Sequence, residues 1–109
     1  MYFAAEGTLR IELIVVIYGG QLLAKFAKKH AVARKPLARF VTLTEAARWS
    51  HFEALRQDFP SADLGKRSRS IVFDIGGNKY RVLALVNFEK QTLFIDQVLT
   101  HEEYSRKDL

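Results

Sequence analysis

Lys79 and Arg81 stand two residues apart, a spacing that sends both side chains out of one face if the segment is a β-strand. Lys66, Arg67 and Arg69 lie just upstream. From Lys66 to Arg81 five cations stand against one acid, Asp74, a local net charge of +4. Several cations converging on one face, with arginine offering a two-pronged fork, is what phosphate binding requires. Further on, His101 and Tyr104 stand three apart, and on a turn or short helix just past a strand end that spacing puts them on one side. Histidine exchanges protons near neutral pH, and tyrosine can donate or hold one. Together these residues could grip a phosphodiester and move protons at its oxygens. A solvated basic rim would give the same charge pattern, and a surface His101 beside a Tyr104 covering the core edge would give the same spacing.

Two strands and a turn must carry these groups. From residue 70 the apolar pattern alternates, which predicts a strand over 70–75, a second over 78–88 and a third over 92–100. Gly76-Gly77 between the first two is a tight-hairpin signal, because both positions can take positive φ. The hairpin should bring the 66–69 cations beside Lys79 and Arg81. Strand alternation places Asp74 on the face of Ser70 and Val72. Glu89-Lys90-Gln91 makes the next turn.

Upstream the period is helical. Leu22, Leu23, Phe26 and His30 share one helix face. Leu37, Phe40, Val41, Thr44 and Ala47 share a second, with Pro36 in its first turn. The short link predicts an antiparallel helical hairpin. Ser50 and Glu53 read as a capping box that opens a third helix, closed by Pro60. Residues 11–18, ending at Gly19-Gly20, read as a buried strand, and residues 1–10 as an N-terminal extension. The prediction is one α+β domain over residues 11–109. Its N-terminal strand and helical hairpin pack on one face of an antiparallel β-meander.

Composition narrows the chemistry. The chain has 109 residues, enough for a single modest core. It has no cysteine, which excludes a disulfide framework, a thiolate metal site and a cysteine nucleophile. Its three histidines, His30, His51 and His101, form no ligand pair, so no metal and no cofactor are expected. The apolar run over 11–18 is too short to span a bilayer and lacks signal-peptide flanks, so no membrane partner and a cytoplasmic location are expected. The net charge is +5, and part of it lies between Lys25 and Arg48, where seven cations face Glu45 alone. That stretch suits a solvated helix face or the docking of an acidic partner.

Three stretches form a recognisable pattern: Phe59-Pro60-Ser61-Ala62-Asp63, then Val72 through Val82 with Gly76-Gly77-Asn78-Lys79-Tyr80-Arg81, then Thr100-His101-Glu102-Glu103-Tyr104. Their order and spacing resemble the HigB family of toxins from bacterial type II toxin–antitoxin systems, within the wider RelE/ParE-like superfamily. The resemblance runs from Ile11 to Arg106. It implies a RelE-like fold and a metal-independent endoribonuclease that cuts mRNA on the translating ribosome, the ribose 2′-hydroxyl attacking the adjacent phosphate. It further implies neutralisation by a HigA-like helix-turn-helix antitoxin. The free toxin is expected to be a monomer.

On that resemblance Arg81 grips the scissile phosphate, and His101 and Tyr104 transfer protons, in roles the sequence leaves open. Lys66, Arg67, Arg69, Asn78, Lys79 and Arg106 contact RNA or ribosomal phosphates. Two positions depart from the family pattern: Asp74 replaces its usual asparagine, a negative charge that is unhelpful beside a phosphate site unless it points away, and Ser105 replaces its usual aspartate. A non-catalytic toxin of another target such as gyrase, or a decayed toxin that only binds its antitoxin, remain the alternatives.

Overall fold

The computed structural model describes residues 15–65 and 69–106. The expected extension over 1–10, the first part of the opening strand, and the cations Lys66 and Arg67 lie outside these residues. The described chain runs β1 (Val16–Tyr18), α1 (Gly20–Lys29), a 3₁₀ turn (Ala31–Ala33), α2 (Arg34–Glu45), α3 (Phe52–Asp58), β2 (Asp63–Leu64), β3 (Ile71–Ile75), β4 (Tyr80–Asn87), β5 (Thr92–Thr100) and α4 (His101–Ser105). The strands form one sheet in the order β1-β5-β4-β3-β2. The expected meander is β3-β4-β5, antiparallel throughout. The N-terminal strand joins it alongside β5 in parallel, so the sheet is mixed. The two-residue β2, which no period could reveal, pairs with β3 at the other edge.

Helices α1 to α3 cover one sheet face. Leu23 and Phe26 of α1, Leu37 and Phe40 of α2, and Leu55 of α3 are buried against Phe73, Val82, Ala84, Leu93 and Ile95. Aromatic rings fill the centre, with Phe73 edge-on to Phe40 and Phe59 at 5.1 Å each. Trp49 is a core anchor, and its indole N–H donates to Asp58 at 2.8 Å. The N-cap of α3 corrects the expected Ser50–Glu53 box. The helix begins one residue later, and His51 Nδ1 accepts the Ala54 N–H at 3.2 Å. A ring nitrogen therefore does the work expected of the Ser50 hydroxyl. Among the described residues no helix is long and apolar enough to cross a membrane.

The β3–β4 loop uses both glycines as predicted, Gly76 at φ 65° and Gly77 at φ 74°. It is four residues long, with Ile75 opposite Tyr80, so Lys79 sits in the turn and not on the strand. A Cβ on Gly76 would lie 3.3 Å from the Tyr80 ring and 3.4 Å from Pro36. Gly76→Ala is expected to cost about 1–2 kcal/mol, from the left-handed backbone plus the tight contact. Chemical denaturation of the two proteins measures it, and equal midpoints would refute the strain.

One irregularity decides which face the end of β5 presents. Leu83 pairs with Gln97 but Ala84 with Ile95, so Asp96 is an extra residue in a β-bulge. Before it, Leu93 and Ile95 face the helices. After it the parity switches: Val98 packs on that core while Leu99 joins Val72 and Leu83 on the opposite face.

Candidate active site

Arg81 belongs to this second face. Its neighbours Tyr80 and Val82 point into the main core, so alternation turns Arg81 away from the helices. Because the bulge has switched parity, Leu99 lies directly opposite it on the same face. The chain then turns into α4, which folds over this face and packs Tyr104 on Val72, Leu83 and Leu99. The helix is held by a capping box that the T-x-x-E spacing signals in the sequence. Thr100 Oγ1 accepts the Glu103 N–H at 3.1 Å, and the Glu103 carboxylate accepts the Thr100 N–H at 2.9 Å. The His101 N–H donates to the Lys79 carbonyl at 2.7 Å, tying α4 to the β3–β4 turn.

Under α4 the Arg81 side chain is only 7% exposed, and every one of its donors is used. Nε pairs with the Asp74 carboxylate at 3.0 Å. Nη1 donates to the carbonyls of Tyr80 at 3.1 Å and Asn78 at 3.3 Å. Nη2 donates to Asn78 Oδ1 at 2.5 Å and meets His101 Nδ1 at 3.0 Å. The guanidinium carbon lies 5.4 Å from the centre of the Tyr104 ring. The three residues expected to do chemistry thus meet at one point, with Asn78 and Asp74 beside them. Asp74 does not point away from the site; it is the direct cross-strand partner of Arg81. The signal was in the hairpin, since a loop over 76–79 puts 74 opposite 81.

None of the other described cations, Arg69, Lys79 and Arg106, bonds to this cluster through its side chain. Antiparallel pairing puts the start of β3 opposite Ala84, not Arg81. Arg69 therefore sits beyond the far end of β3, about 17 Å of strand from Asp74. The expectation that the 66–69 cations flank Arg81 does not hold for it. Lys79 is exposed in the turn. Exposed Arg106 lies 3.8 Å from Glu102, one helical turn away. The Ser105 hydroxyl donates to the His101 carbonyl at 2.9 Å, so its hydrogen bond stays within α4. His30 stacks on Phe26 at 4.4 Å. Among the described residues no cluster of His, Cys, Asp or Glu side chains could hold a metal ion. A groove of about 400 Å³ between α1 and α2, lined by Leu23, Ala27, Leu37 and Val41, lies on the other side of the sheet and contains none of the site residues.

The Glu103 carboxyl is held below its usual range, chiefly because it accepts the Thr100 backbone N–H; Lys29 and His30 act in the same direction. Its folded value is below its unfolded one, so the stability it adds is complete above the unfolded carboxylate range, about 4.3. That stability is lost as pH falls through the lower folded value. Amide signals of α4 are expected to lose protection on acidification below about pH 4 in the wild type and to change much less in Glu103→Gln. Identical pH responses in the two would refute the cap as the cause.

The family model for the HigB toxin, the RelE-like toxic component of a toxin–antitoxin system, matches residues 33–107. That span contains Asp74, Arg81, His101 and Tyr104. An mRNA interferase toxin HigB of Escherichia coli K12 is 47% identical over 53 residues, which is 48% of this chain and 51% of that protein. An mRNA interferase HigB of Shigella flexneri matches to the same extent. An mRNA interferase HigB of Escherichia coli O6:H1 is 35% identical over 77 residues, 70% of this chain and 72% of that protein. The match spans about half the length of the first two relatives.

Proposed function

The chain belongs to the HigB toxin family, and from that premise we propose that it is a toxin that cleaves mRNA on the translating ribosome and is neutralised by a HigA-like antitoxin. The reaction is attack of a ribose 2′-hydroxyl on the adjacent phosphate. The O2′–P bond forms and the P–O5′ bond breaks, leaving a 2′,3′-cyclic phosphate and a 5′-hydroxyl. One proton must leave O2′, one must reach O5′, and the charge on the phosphorane oxygens must be stabilised. The observation that carries the proposal is the meeting of Arg81, His101 and Tyr104 under one short helix.

Arg81 supplies the charge. Asn78 occupies one N–H on each of its terminal nitrogens with two oxygens. A phosphate presenting two oxygens can replace both as a fork. Asn78 is an exposed turn residue, so it can give way without disturbing the core. His101 and Tyr104 are the side chains beside Arg81 that can serve the protons. Lys79, Arg69 and Arg106, with Lys66 and Arg67, hold flanking RNA or ribosomal phosphates.

Induction without an antitoxin, followed by mapping of mRNA 5′ ends with and without translation, tests this reading. Growth arrest with translation-dependent new 5′ ends is expected. Arrest with intact mRNA and a DNA-damage response would assign the toxin to gyrase, and harmless expression would leave only antitoxin binding.

A further inference from the structure

His101 and Tyr104 could each take either proton role, but the contact between Arg81 and His101 separates them. An arginine N–H can only donate, so His101 Nδ1, 3.0 Å from Nη2, must accept. A ring that accepts at Nδ1 carries its proton at Nε2. A doubly protonated ring would set N–H against N–H and lose the bond. His101 is itself exposed, so Nε2 is the nitrogen left for a ligand. The lone pair that a proton acceptor needs is already engaged.

The guanidinium that imposes this is fixed from below. Asp74 holds Nε at 3.0 Å, and the Tyr80 carbonyl holds Nη1 at 3.1 Å. These bonds and the one to His101 are separate from the Asn78 bonds that a phosphate would replace. They can persist when the fork is filled. Asp74 is about three-quarters covered, so its grip on Nε is partly shielded from water.

We propose that Asp74 is a positioning residue: through Arg81 it locks His101 as the Nε2–H tautomer, so that His101 donates a hydrogen bond to a phosphate oxygen and does not accept the 2′-hydroxyl proton. The accepting side is left to Tyr104 or water. The catalytic part of this proposal rests on the RNase reading above; the tautomer part does not.

The test uses the full chain with ¹⁵N-labelled histidine, and two-bond ¹H–¹⁵N correlation reads the His101 tautomer without any RNA. The wild type is expected to show a single Nε2–H pattern at neutral pH. Asp74→Asn keeps an acceptor oxygen for Nε and should keep both that pattern and cleavage of ribosome-bound mRNA to within a few-fold. Asp74→Leu keeps Arg81 but frees it. A mixture of tautomers and a fall in cleavage of about 10- to 100-fold are expected, the usual scale for removing the partner that orients an active group. A wild-type His101 protonated at Nδ1 would overturn the proposal with no variant needed. So would an Asp74→Leu protein that is folded and mixes tautomers yet cleaves at the wild-type rate. Because the wild-type spectrum needs no substrate, failure of the tautomer assignment is distinguishable from failure of the RNase reading.

Discussion

His101→Ala is expected to lower mRNA cleavage by about 10²- to 10³-fold, the usual cost of losing one well-placed donor at a developing oxyanion. It should leave the protein folded. His101 is exposed, and its side chain contributes one hydrogen bond, to Arg81 Nη2. Losing that bond costs about 0.5–1.5 kcal/mol. Arg81→Ala should abolish cleavage at least as completely, but for two reasons at once. Arg81 is buried, and its removal strands the Asp74 carboxylate, the Asn78 and Tyr80 carbonyls and His101 Nδ1. A stability loss of about 2–4 kcal/mol should accompany the loss of activity. Arg81→Lys keeps the charge, yet three donors cannot serve five bonds, so most of the activity should still be lost. Measuring thermal unfolding beside cleavage separates the two kinds of loss. Wild-type cleavage by a folded His101→Ala protein would remove His101 from the mechanism.

How far this site was legible in the sequence depends on which interactions are local. The meander strands, the two main helices and the glycine turn follow from periodicity and φ requirements, although β4 begins at Tyr80 and not at residue 78, and the N-terminal strand, expected to be buried, is an edge strand with Val16 and Tyr18 exposed. Arg81, His101 and Tyr104 could be chosen by residue type and spacing. What the spacing could not show is the face on which each lands. Asp74 looked like an unwelcome charge because alternation gives its face but not its cross-strand partner. The hairpin register supplies the partner, and the unwelcome charge becomes the anchor of the arginine. Arg69 looked like a neighbour of Arg81 because it is near in sequence, whereas antiparallel pairing sends it to the far end of the strand. Ser50 and Glu53 match the capping-box pattern without forming it, while Thr100 and Glu103 form it. A local pattern states what two residues can do, and the tertiary fold selects which pair does it.

The β5 bulge makes the strongest test of how the site is assembled. If β5 paired regularly through Asp96, strict alternation from Ile95 would turn Gln97 and Leu99 toward the helices and Val98 away. His101 would follow Leu99 and leave the face that carries Arg81. Deleting Asp96 removes the extra residue itself: Gln97, Val98 and Leu99 still follow Ile95 opposite Leu83, Val82 and Arg81, so each keeps its face. Deleting Val98 instead is expected to force a choice. If the bulge stays, Leu99 takes the core seat of Val98, Thr100 comes opposite Arg81 and His101 leaves its face. If the bulge is absorbed, Leu99 stays opposite Arg81 but Gln97 takes the core seat of Val98, which buries a polar group at a cost of about 1–3 kcal/mol. The first outcome separates His101 from Arg81, so cleavage should fall by at least about 10²-fold, as for loss of His101 itself. Deletion of Asp96 is the matching control: it also shortens β5 by one residue, yet it should cleave within a few-fold of the wild-type rate. If the Val98 deletion matched it in both cleavage and thermal unfolding, strand parity would not be what brings His101 to Arg81. If both deletions lost cleavage alike, the local shape of the bulge and not the faces it sets would be the requirement.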